Sequence, residues 1–144
     1  MRSLAKVMLI TNEIAVASQV SANTSWIQAF ARGNRLAYKV WAQVVGTSVA
    51  AKLSQATDSA GTGAKDITGA AITTITAAGS GKKFALIEIG PGAMDDKNNF
   101  AWVRLVATIV GTCTWGVERM EYELRSPGEI AQDASFVESI AVYD

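Results

Sequence analysis

The stretch Arg35-Leu-Ala-Tyr38-Lys-Val40-Trp41-Ala42-Gln-Val44-Val45 decides the fold class. Leu36, Tyr38, Val40, Ala42 and Val44 recur at every second position, with Arg35, Lys39, Gln43 and Trp41 in the alternate set. Successive side chains of a strand point to opposite faces, so a period of two predicts a long half-buried strand with all five alternating residues inward.

Beyond this run, Gly46 and Thr47 are followed by Val49, Ala51 and Leu53 alternating with Lys52 and Ser54. A turn signal between two alternating runs predicts a hairpin. Residues 58–66, rich in Asp, Ser, Gly and Thr, read as a loop, and residues 67–78 as strand-like. A short β-branched and aromatic run, residues 84–89, stops at Gly90-Pro91-Gly92, where Pro91 lacks the donor that a central strand needs.

Residues 100–110 are apolar on both faces, with Ala101, Val103, Leu105, Ala107 and Ile109 opposed by Trp102, Arg104, Val106 and Thr108, which predicts a central strand. A turn at residues 111–114 leads to residues 115–124. There Met120, Tyr122 and Leu124 alternate with Arg119, Glu121 and Glu123, and the charged set is expected to face solvent. Many strands with short turns and little helical periodicity predict an all-β protein, an antiparallel β-sandwich or jelly roll. The expected organisation is an N-terminal arm or strand over 1–25, a sandwich domain over 26–126, and a C-terminal arm over 127–144. Phe136, Val137, Ile140 and Val142 of that last segment need a surface to cover.

The chain of 144 residues holds 49% hydrophobic residues, 18% charged residues and no net charge. An ordinary soluble domain carries about 25% charged residues. A neutral skin supplies no long-range field for polyanions, so nucleic-acid binding lacks its usual driver, and covering by other protein surfaces is the better use of it. There is no His, and Cys113 is the single Cys. These counts exclude His-based acid–base work, His-containing triads, His/Cys zinc sites and internal disulfides. The expectation is a protein that is no enzyme and takes no metal or cofactor.

Four apolar residues, Val7 to Ile10, followed by Thr-Asn-Glu, fall short of the 7 to 15 of a secretory core, and no stretch reaches the roughly 18 of a membrane span. The expectation is therefore a soluble chain made in the cytoplasm, without membrane contact.

Each chemical motif fails on its own requirements. Gly79-Ser-Gly-Lys82-Lys83 lacks a phosphate loop's first glycine, where Thr76 stands, and its hydroxyl after the lysine. Gly61-Thr-Gly63 has Asp66 where a dinucleotide fingerprint needs its third glycine. Asp95, Asp96, Asn98 and Asn99 gather oxygen ligands without calcium-loop spacing. Glu121 and Glu123, about 7 Å apart along one strand, point the same way and cannot flank a glycoside between them; surface ion pairing with Arg119 and Arg125 is expected instead. The Asn23-Thr-Ser25 sequon reads as coincidence without a secretion signal. Trp26, Trp41, Trp102 and Trp115 offer either a stacking platform or core and interface packing, with core or interface packing favoured.

The stretch Lys52-Leu-Ser-Gln55-Ala-Thr-Asp58-Ser-Ala-Gly61-Thr-Gly63-Ala-Lys65-Asp66-Ile67-Thr-Gly69, with Phe100-Ala-Trp102-Val-Arg104-Leu beyond it, resembles small structural proteins of tailed-bacteriophage virions. The resemblance covers the central two thirds of the chain. It implies a β-rich capsid cement or decoration protein that binds the lattice of the major capsid protein on the capsid exterior and is assembled in the host cytoplasm. A tail-tube or head-completion protein and a carbohydrate-binding β-sandwich module stay open beside it. Self-association as a homodimer or homotrimer is expected from the neutral surface. The residues expected to meet partners are Trp26, Trp41, Trp102, Phe136, Val137, Ile140 and Val142.

Overall fold

The computed structural model describes residues 8–18, 21–77 and 83–124. Its strands are β1 (Met8–Ser18), β2 (Ile27–Gln28), β3 (Gly33–Val44), β4 (Ser48–Ala56), β5 (Lys65–Ala71), β6 (Ile75–Thr76), β7 (Lys83–Ile89), β8 (Trp102–Val110) and β9 (Thr114–Leu124). They form two antiparallel sheets, one in the order β1-β9-β3-β7 and one in the order β2-β8-β4-β5, with β6 added on β4. With β6 set aside, the first strand pairs with the last, the second with the next to last, and so on inward to β4 and β5. That is one long hairpin rolled on itself, the jelly-roll form of the sandwich.

The core lies between the sheets. Leu36, Tyr38, Val40 and Ala42 of β3, with Trp115 and Val117 of β9, face Val49, Ala51 and Leu53 of β4 and Val103, Leu105 and Ala107 of β8. The β3, β4 and β8 members are the alternating sets legible in the sequence, and each large side chain so buried contributes about 1.5–3 kcal/mol. β8 is central, between β2 and β4, as its two apolar faces require. Ala101, placed inward by the pattern, is exposed just before the strand begins.

Gly46 and Thr47 do not make a hairpin. β3 and β4 belong to different sheets, and these residues carry the chain across a corner; Gly111 and Thr112 do the same between β8 and β9. Each strand already has neighbours from distant parts of the chain, β3 lying between β9 and β7, and β4 between β8 and β5. The two corners pack on each other. Thr47 N–H donates to the Val110 carbonyl at 3.1 Å, Gly46 N–H donates to Cys113 Sγ at 3.4 Å, and a Cβ at Gly46 would stand 2.6 Å from Thr112 N. Cys113 is thus a buried spacer beneath both corners.

Val44 also departs from the expected inward set. A bulge shifts the β3–β9 register between Ala42 and Val44, so Val44 turns outward and Val45 is buried in its place. The loop after β4 ends earlier than expected, since Lys65 and Asp66 already belong to β5; the following strand-like region breaks between β5 and β6. At the N-terminus, β1 is an edge strand of the first sheet rather than a free arm. Residues 125–144, with Phe136, Val137, Ile140 and Val142, lie outside the described residues, as do Gly79 to Lys82.

Candidate interaction surfaces

β9 turns its charges the other way from the expected one. Arg119 stands opposite Tyr38, and Glu121 opposite Leu36, on the inner face of the sheet, where they are 7% and 6% exposed. Arg119 Nη1 pairs with Glu13 of β1, and its Nε lies 3.3 Å from Glu121 Oε1. The alternation was right and the face was wrong: the ion set closes one end of the sandwich, where alternating charges need no water if they meet one another. Glu123, on the same side, has a left-handed backbone and is exposed. The wholly buried Tyr38 hydroxyl stands beside Thr24 and Arg119 without completing a hydrogen bond, and desolvation holds its pKa far above the ordinary tyrosine value. A cavity of 230 Å³ lined by Ile27, Gln28, Arg32, Arg119 and Glu121 opens beside this cluster. One guanidinium thus stands between two carboxylates, hydrogen-bonded to Glu13 and within ion-pair distance of Glu121.

The tryptophans are distributed, not gathered. Trp115 is in the core. Trp41 is half-buried on the outer face of the first sheet, its ring covering Gly116, where a Cβ would overlap it. Trp26 and Trp102 are half-buried on the second sheet's side; the Arg104 guanidinium stacks 4.5 Å from the Trp26 ring centre, and Gly61 with φ +86° lets the β4–β5 turn close on Trp26. Trp41 and Trp102 thus lie on different sheets and form no common platform.

The turn that carries the resemblance is internally braced. Asp58 Oδ1 accepts from the Ala60 and Thr62 N–H groups at 2.9 and 3.0 Å, and the Thr62 hydroxyl, followed by these N–H groups, holds its carboxyl below the usual carboxylate range. Gln55 Oε1 accepts from Asp95 N–H at 2.8 Å. The Asp95 carboxylate pairs with Lys65 and accepts from Asn98, with Lys65 over the Phe100 ring. Lys65 and then Asn98 lower the Asp95 pKa, and Lys52 and then Ser54 lower that of Asp66.

Apolar area outside the core concentrates on β7. Phe84 is 60% and Leu86 54% exposed, and the outward Val44 and Val110 are 50% and 48% exposed. Phe84 stands opposite Trp41, and Leu86 opposite Lys39, in the β3–β7 ladder. Sequence reading found this strand but not its role as a surface; the signal was an apolar residue at every position of both faces except Lys83 and Glu88.

No protein-family model matches the chain, and no curated protein matches its sequence. Among solved structures, a chain of infectious bursal disease virus Gx strain overlays with a TM-score of 0.40 at 10% identity, covering 84% of this chain and 33% of that one. A chain of the Gt strain overlays with a TM-score of 0.23 at 13% identity, covering 85% and 41%. Both are structures of one virus. This chain spans less than half the length of either, and overlays at these scores assign no role to any residue.

Proposed function

We propose that the chain is a structural virion protein of the tailed-bacteriophage cement or decoration type, which binds the major capsid protein lattice on the capsid exterior and reinforces it. The observation that carries the reading is apolar area left outside a closed core: Phe84, Leu86, Val44 and Val110 stay exposed on a neutral chain. A monomer with so little charge and exposed large apolar side chains is suited to permanent coverage. The resemblance of residues 52–69 to virion proteins points the same way, and those residues form a braced turn able to present a fixed surface.

Reinforcement needs static contact and no turnover, so the protein is read as no enzyme and as carrying no metal or cofactor. Neither nucleic acid nor membrane is a partner on this reading. The carbohydrate-binding alternative loses support from the placement of Trp41 and Trp102 on different sheets. The test is occupancy on capsids that lack the protein: added protein should bind at a fixed stoichiometry per capsid subunit and raise the temperature at which the shell opens. Absence of binding to the shell overturns the reading.

A further inference from the structure

The sandwich has four lateral edges among the described residues, and three of them are guarded against pairing. β1 has register shifts at Asn12/Ile14 and Ile14/Ala17. The β8 side is covered by residues 21–24 and the two-residue β2, through Thr24 N–H to the Leu105 carbonyl at 3.0 Å and Ala107 N–H to the Ala22 carbonyl at 3.0 Å. β5 is broken in register against β4 and has Gly69 at φ +79°. Bulges, short strands and coverage are the usual means of blunting an edge. β7 has none of them: its seven residues pair with β3 in unbroken register from Leu36–Ile89 to Ala42–Lys83, without proline or bulge. Among the described residues nothing pairs with its outer side.

We propose that this edge is the self-association surface, where β7 pairs antiparallel with β7 of a second copy across a two-fold axis at Leu86. Side-chain parity permits only registers that keep outward residues opposite outward residues. Centring on Leu86 places Leu86 against its own copy and Phe84 against Glu88 of the copy. The charges then complement. Lys39 Nζ lies 5.4 Å from the Phe84 ring centre, so the copy's Glu88 arrives beside an ammonium group. Lys39 is already paired with Glu118 at 3.6 Å, and Glu88 with Arg35 at 3.6 Å, all partly exposed. The dimer joins these two pairs into one alternating network on each side of the axis, while main-chain bonds extend the first sheet through both copies. The proposal specifies the self-association expected of the neutral surface; its test needs no capsid, so its failure leaves the capsid reading standing.

Sedimentation of the full chain at micromolar concentration should give a dimer. Leu86→Glu, which sets two carboxylates on the axis, should weaken association by about a hundredfold or more while leaving the circular dichroism spectrum that of the folded sandwich. Opposed residues of an antiparallel pair have α-carbons about 4.5–5.5 Å apart, within disulfide reach. Leu86→Cys should therefore give a disulfide-linked dimer on mild oxidation, whereas Val110→Cys, as exposed but on β8, should not; the native Cys113 is buried and silent. Lys39→Glu should weaken the dimer, and Glu88→Lys combined with it should restore it. A monomeric wild type, as when residues 125–144 fill the edge, overturns the proposal. So does a Leu86→Glu dimer, or crosslinking through Val110→Cys as fast as through Leu86→Cys.

Discussion

Glu13 of β1 pairs with Arg119 of β9 inside the sandwich, and both side chains are about nine-tenths buried. A guanidinium between two carboxylates, Glu13 and Glu121, is tolerated there because both carboxylates have the same cation beside them, which offsets part of their charge. Arg119→Ala leaves two carboxylates facing each other and should cost about 3–5 kcal/mol in denaturant unfolding. The triple variant Glu13→Leu, Arg119→Met, Glu121→Leu should recover most of it, which distinguishes the cost of a broken pair from the worth of an intact one.

The corner contact between Gly46 and Thr112 leaves no room for a side chain. Gly46→Ala forces backbone against backbone and should destabilise by about 1–3 kcal/mol. Gly111→Ala should be comparably harmful, since φ is +77° and Thr47 N would stand 2.9 Å from the new Cβ. Gly92, with open space around its Cβ position, serves as the control: Gly92→Ala should stay within about 0.5 kcal/mol of the parent by thermal unfolding.

Acid should loosen the braced turn and its neighbours. Asp58, Asp66 and Asp95 all have depressed pKa values in the fold, so the stability they add is present above about pH 4, the unfolded aspartate value, and is lost as pH falls through the folded values. Melting temperature should therefore drop on acidification below about pH 4, and Asp58→Asn should flatten that drop.

Alkali acts through the tyrosines with the opposite sign. Desolvation, then the neighbouring Glu88, pushes Tyr122 up to about 12, and burial raises Tyr38 further. Stability is full below pH 10 and falls as pH rises beyond it, because the unfolded tyrosines ionise first. In a spectrophotometric titration the phenolate signal of Tyr38 should appear only with unfolding, and Tyr38→Phe should remove that late step.

Residues 127–144 are expected to hold the protein to its partner. Ending the chain after Ser126 should leave a cooperative melt, while occupancy on capsids lacking the native protein falls sharply. A truncated chain that fails to fold would assign Phe136, Val137, Ile140 and Val142 to the domain's own core instead.

Strand positions were legible because alternation is a local property: Leu36, Tyr38, Val40, Ala42, Val103, Leu105, Ala107 and Ile109 are buried as their spacing required. Which strands pair was not legible at Gly46, because the same turn residues serve a hairpin within one sheet and a corner between two. One bulge turns Val44 outward and buries Val45 in its place, which a strict alternation does not anticipate. The inward face of β9 was read as solvent because Arg119 and Glu121 announce charge but not the distant Glu13 that neutralises it, more than a hundred residues away in sequence. Residue type alone does not say which sheet a tryptophan ring lies on; the exposure of Phe84 and Leu86 depends on β7 being an edge, which is a property of topology.

Electron microscopy of the purified virion, at a resolution that traces this jelly roll in the density, tests the capsid reading most directly. The sandwich is expected on the outer surface of the shell, touching several copies of the major capsid protein at a fixed stoichiometry. Density for it in the tail, or in no virion component, would contradict a place on the capsid.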